Sequence, residues 1–205
     1  MTADTVYYIY FSTRVKRRMN IMKIIKLNTV GIISEIEEHN TIKYKILDII
    51  DNMKGGTLDE NDIKISKLDH TDHENYEKSY FKEIQTIIQP YLYDITKYLK
   101  CGKCEISSVW FQQYQPDDIH NWHLHPRTTW QAVYYLEMNG EKLETELYDS
   151  YKNEMIKVHD VKEGDLFVFP GNFIHRAPKN ISDNRKTIIA FNLDFDSPSL
   201  TNLPL

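Results

Sequence analysis

Three of the chain's eight histidines stand within six residues, in His120-Asn121-Trp122-His123-Leu124-His125. Imidazole is a good ligand for transition metals, and His-x-His is a spacing that can serve one ion. Side chains alternate along a strand with a period of two, so His123 and His125 share a face and His120 falls on the other. A third ligand must come from a different strand. His175 fits, because it follows the apolar run Leu166-Phe167-Val168-Phe169 and the Pro170-Gly171 turn. Three imidazoles leave positions on a metal where substrate and oxygen can bind. Arg185 stands ten residues after His175. Its planar guanidinium suits a carboxylate, and residues 178–184 can loop it back beside the His175 strand. Thr187, two residues on, shares that strand face and can hydrogen-bond the same carboxylate. Asp118 and His120 are the nearest alternative ligands; His120 can instead orient a ligand or meet the substrate.

These residues need a β framework, and the second half of the chain reads as one. Val109–Tyr114, Trp130–Glu137, Leu143–Tyr148, Met155–Val161, Leu166–Phe169 and Lys186–Asn192 are short aromatic or β-branched runs. Turn signals such as Asn139-Gly140 and Glu163-Gly164-Asp165 separate them, as in a sandwich or barrel. The first half is helical in pattern. A helix is expected from Ile33 to Met53, with Ile42, Ile46, Ile49, Ile50 and Met53 on one face and Lys54-Gly55-Gly56 ending it. Residues 22–30 read as extended and 57–70 as polar and irregular, with one short strand at Ile63–Leu68. Thr71-Asp72-His73-Glu74 has the form of a capping box, with His70 and His73 as solvated neighbours. It opens a helix that carries Tyr76, Tyr80, Phe81, Ile84, Ile87 and Ile88, and Pro90 is expected to interrupt it. Helices first and strands after give an α+β unit.

At 205 residues, one domain is expected. Residues 1–21 read as a peripheral extension. Residues 22–205 form the domain, with helical support over 22–104 and the barrel over 105–195. The net charge of −5 supplies no global basic field, and few Lys or Arg flank the histidines, so a nucleic-acid partner is not expected. No apolar run reaches the ~20 residues of a membrane span, and the N-terminus lacks the form of a secretory signal. A cytoplasmic location is expected, and Cys101 and Cys104, the only cysteines, read as plain thiols.

The pattern Tyr114-x8-His123-x-His125, then Gly164-Asp165-Leu166-x-x-Phe169-Pro170-x4-His175-x9-Arg185-x-Thr187, resembles the iron(II)/2-oxoglutarate-dependent oxygenases. It is most similar to the prolyl-hydroxylase-like branch with its many small bacterial and viral members; a viral member would work in the host cytoplasm. The resemblance covers roughly residues 107–195. It implies a double-stranded β-helix, or jelly roll, with N-terminal helices as support. It also implies Fe(II) held by His123, His125 and His175, and 2-oxoglutarate chelating that iron with its far carboxylate on Arg185. Tyr114 matches a position where such enzymes place a tyrosine for the co-substrate. Tyr135 and Asn192 are further pocket candidates. The implied reaction uses molecular oxygen to oxidise a C–H bond of a substrate, with a protein side chain the first choice and a small molecule the other. One position departs from the family: His125 stands where most members have Asp or Glu. The alternative is a cupin-type metal dioxygenase or binding module, for which Gly164 to Pro170 has the right spacing. The glutamate a cupin needs just after His125 is missing, and a cupin gives Arg185 no role.

Overall fold

The computed structural model describes residues 31–60, 62–69, 78–125, 128–139, 143–158 and 161–196. The expected N-terminal extension, the extended segment at 22–30, the capping box and its two histidines lie outside these residues.

The expected helix from Ile33 divides in two. Ile32–Glu35 is a strand, β1, and His39–Asn52 is the helix, α1. Alternating burial along β1 and its antiparallel pairing with a later strand explain the difference: the pairing satisfies a backbone that helix propensity alone would have coiled. The buried face of α1 carries Ile46, Leu47 and Ile50, with Ile42, Ile49 and Met53 at its border. Gly56–Glu60 (β2) and Ile63–Leu68 (β3) form an antiparallel hairpin where mostly irregular chain was expected.

Ser79–Tyr98 is one continuous helix, α2, with Pro90 inside it. An internal proline costs a helix ~3 kcal/mol or more. Here Pro90 is exposed, and Ile84, Ile88, Leu92 and Ile95 stay buried on one stripe either side of it. The burial of that stripe offsets the proline.

Eight strands follow: β4 (Cys104–Tyr114), β5 (His120–His123), β6 (Trp130–Glu137), β7 (Glu146–Asp149), β8 (Glu154–Lys157), β9 (Asp165–Pro170), β10 (Ile174–Ala177) and β11 (Lys186–Phe195). A seven-stranded sheet has the order β1-β9-β6-β11-β4-β3-β2, and a four-stranded sheet the order β5-β10-β7-β8. Every pairing is antiparallel. The N-terminal half therefore supplies three strands of the large sheet as well as the two helices.

Period-two alternation gives the large sheet two apolar faces. Val109, Phe111, Ala132, Tyr134, Leu166, Ile189 and Phe191 pack under α1 and α2. Tyr114, Val133, Tyr135, Phe167, Phe169 and Ile188 face the other way and meet Leu147 and Ala177 of the small sheet. The interior between the sheets holds the candidate site. At its rim Gly171 passes so close to Thr128 that a Cβ would lie 2.5 Å from the Thr128 carbonyl oxygen, so only glycine fits this turn before β10.

Candidate metal centre and cavity

His123 ends β5, and His175 stands directly across from it on β10. His125 follows two residues beyond β5. One ring nitrogen from each lies within 4.8 Å of the other two. All three rings are tied down at Nδ1. His123 Nδ1 is 2.7 Å from the Asn121 carbonyl oxygen, His175 Nδ1 is 3.0 Å from the Phe173 carbonyl oxygen, and His125 Nδ1 is 3.0 Å from Asn192 Oδ1. These acceptors require an N–H at Nδ1, which makes Nε2 the lone-pair donor in each ring. Asn192 is itself held, donating from Nδ2 to Ser108 Oγ at 2.7 Å. Trp110 stacks on His125 at 5.6 Å, and Phe169 meets His175 edge-on at 5.1 Å. Burial and the nearby His123 push His175 down to about 3, so it is the neutral, ligand-competent base across the physiological range. Three fixed, neutral imidazoles around one point fit a divalent transition metal, with positions left over for other ligands.

His120 is not turned away from this group. Its ring stacks on His123 with centroids 3.9 Å apart, and its Nδ1 lies 3.3 Å from Gln112 Nε2. The reason is a register shift in the β5–β10 pair: His175 faces His123 while Ala177 faces His120, so three residues of β5 span two of β10. Such a bulge returns His120 to the inner face. Asp118, the alternative ligand, lies elsewhere. It is wholly buried, accepts the backbone N–H groups of Ser66 and Gln115, and pairs with Lys64. It ties β3 to the turn before β5.

Behind the histidines runs a cavity of about 390 Å³, whose deeper wall includes Tyr114, Val133, Thr145 and Ile188. Tyr114 is buried as expected and donates to Gln112 Oε1 at 2.9 Å. Tyr135 donates to Thr145 Oγ1 at 2.8 Å, and burial pushes its hydroxyl up to about 12. The cation at this inner end is Lys186. Its ammonium nitrogen lies 5.5 Å from the Tyr114 ring centroid and 5.6 Å from that of Tyr135, and it donates to the Leu143 carbonyl oxygen. Lys186 is 2% exposed, and desolvation pulls it down to about 7 against the opposing field of Glu144.

Arg185, expected to grip the co-substrate, points to the opposite side of the sheet and does not line the cavity. It binds the Glu137 carboxylate through Nε at 2.7 Å and Asp51 of α1 through Nη1 at 2.8 Å. Thr187 shares that side, donating to Glu137 Oε2 at 2.8 Å. A bulge between β6 and β11 is responsible. Ile188 faces Tyr135 but Thr187 faces Glu137, so Leu136 is the extra residue and Glu137 turns toward the helices. With both oxygens of two carboxylates around it, Arg185 anchors α1 to the sheet. The sequence did hold a signal for Lys186: counting back by twos from Asn192 along the inner face passes Ala190 and Ile188 and lands on Lys186, not Arg185. Cys101 and Cys104 are free thiols, and burial pushes Cys104 up to about 12, as befits a packing residue.

No protein-family model matches the chain, and no curated protein sequence matches it. Solved structures do. A 2OG-Fe(II) oxygenase family oxidoreductase from Burkholderia pseudomallei superposes with a TM-score of 0.64 at 9% identity, over 80% of this chain and 85% of that one. The viral collagen prolyl hydroxylase of Paramecium Bursaria Chlorella virus-1, in its 2OG complex, gives 0.51 at 12% identity, over 82% and 96%. A prolyl hydroxylase from Trichoplax adhaerens, in complex with a hypoxia inducible factor peptide fragment, gives 0.57 at 14% identity, over 80% and 83%. The expectation of a jelly roll with helical support is borne out: the chain has the double-stranded β-helix fold of the 2-oxoglutarate oxygenases.

Proposed function

We propose that the chain is an Fe(II)- and 2-oxoglutarate-dependent dioxygenase that oxidises a C–H bond, with a protein side chain as the substrate class. One observation carries the reading: three neutral imidazoles converge at one end of a cavity whose inner end holds a buried lysine between two tyrosines. His123, His125 and His175 would hold the iron through Nε2. Fe(II) with 2-oxoglutarate and oxygen supplies a two-electron oxidation of the substrate, the co-substrate leaving as succinate and carbon dioxide. Three neutral ligands leave both positive charges of the metal uncompensated, which favours a dianionic partner. Lys186 and the Tyr135–Thr145 hydroxyl pair would take the far carboxylate, the task assigned by sequence to Arg185 and Thr187. Asn192 fixes His125, and Trp110 excludes water from its face. A cupin-type dioxygenase would use the same histidines but gives no role to Lys186. The peptide seen with the Trichoplax enzyme supports a polypeptide substrate. Free thiols at Cys101 and Cys104 are in keeping with a cytoplasmic location.

The test is anaerobic titration of the Fe(II)-loaded protein with 2-oxoglutarate, read by the charge-transfer absorption of the chelate. Lys186→Met should weaken binding by tenfold or more, while Arg185→Met lowers thermal stability and leaves binding within about twofold. Absence of chelation by the wild-type protein would sink the reading.

A further inference from the structure

Gln131 is 3% exposed and lines the cavity, yet its Nε2 has no hydrogen-bond partner. Leaving such a donor buried and unpaired costs about 1–3 kcal/mol, and an exception of this kind calls for an explanation. Its position supplies one. On β11 its cross-strand neighbour is Asn192, the residue that holds His125. Gln131 therefore stands one strand over from a metal ligand. Along β6, Gln131, Val133 and Tyr135 share the inner face. Read in that order, the face is an amide donor beside the metal, an apolar patch, then a hydroxyl beside Lys186.

2-Oxoglutarate has the matching order: a carboxylate and keto group at the metal, two methylenes, then a second carboxylate. The lengths also match. Four residues of strand span ~13 Å. Four carbon–carbon bonds of about 1.5 Å, drawn as a zigzag, span roughly 5 Å. Carboxylate oxygens and a hydrogen bond of about 3 Å at each end raise this to roughly 11 Å between the donors. Side chains leaning along the strand close the difference.

We infer that β6 measures the co-substrate, with Gln131 donating to the carboxylate at the metal end while Tyr135, Thr145 and Lys186 take the far carboxylate. The inference rests on the functional reading above and adds to it a residue that selects a five-carbon oxo-diacid by its length. Neither the metal ligands nor the far-end grip would by themselves produce that selection at the metal end.

Wild-type protein, Gln131→Leu and Gln131→Glu are loaded anaerobically with Fe(II) and titrated calorimetrically with 2-oxoglutarate, four-carbon oxaloacetate and six-carbon 2-oxoadipate. Iron affinity, measured first without any oxo-acid, should be equal in all three proteins, which also shows that the variants fold. Wild type should favour the five-carbon acid. Gln131→Leu should lose tenfold or more in 2-oxoglutarate affinity and most of its length preference. Gln131→Glu, which swaps the donor for a negative charge, should lose more. If wild type binds 2-oxoglutarate but both variants match it within twofold with the same length preference, the inference is wrong and the functional reading stands. If wild type binds none of the three acids, the functional reading itself has failed.

Discussion

Lys186 carries its ammonium group into the barrel, where burial holds it at about 7, well below a solvated lysine. The groups around it are Tyr114 and Tyr135, both pushed up by burial and so neutral near that pH, and Glu144, whose field acts to keep the charge. A dianionic co-substrate binds the protonated form. Below about pH 7 the proton is already in place; above it, binding must first recruit one. The affinity for 2-oxoglutarate should therefore be flat at low pH and fall by up to tenfold per unit above pH 7. Titrations at pH 6.5 and 8.5 check this, and the slope should vanish in Lys186→Met. An increase of affinity with pH would contradict the assignment. The same residue shows the limit of motif matching. Arg185 stands at the spacing the family predicts, but its guanidinium is taken by Asp51 and Glu137.

At the level of elements, two bulges and one latch set the site. The β5–β10 bulge brings His120 against His123, and the β6–β11 bulge turns Glu137 out toward Arg185. The latch is Glu163, in the turn before β9. It receives Lys43 of α1 at 2.5 Å and the backbone N–H groups of Met138 and Asn139. His39 completes the cluster: it bonds Tyr134 at 2.7 Å and packs over Gly164, whose φ of +93° and lack of side-chain room both call for glycine. Burial alone would raise the Glu163 carboxyl, but the bonds from Lys43 and the two amides overcome it and hold it at about 2. A carboxyl depressed in the folded state adds stability above its unfolded value of about 4.5, and that stability is lost as pH falls toward 2. Glu163→Gln should lower stability by about 1–3 kcal/mol near neutrality. It should also flatten the pH dependence between 4.5 and 2, as read by thermal melting. Unchanged melting would show that α1 is held by its apolar face alone.

Across the whole molecule, the large sheet separates two jobs. One face rests on α1 and α2, and the other closes with the small sheet around the cavity. The metal centre stitches β5, β10 and the segment after β5, so a bound ion should stabilise the barrel. At a metal concentration of a hundred times Kd the gain is ~2.7 kcal/mol, visible as a rise in Tm. His175→Ala should abolish that rise without altering the wild-type response to salt alone; an equal rise in both proteins would place the metal elsewhere. No helix among the described residues is long and apolar enough to cross a membrane. The sequence by itself determined much of this. Periodicity marked the β half, the apolar stripes of both helices, and the pairing of His123 with His125 on one face, because local spacing fixes which side chains lie together on one element. Tertiary structure decided the rest. Whether Arg185 or Lys186 enters the barrel turns on one residue of register, and a shift of one moves every side chain to the other face. Whether His120 joins the cavity depends on a bulge that exists only against β10. The value of Gln131 as an unpaired donor appears only when the neighbouring strands have used their own partners and left its amide facing the cavity.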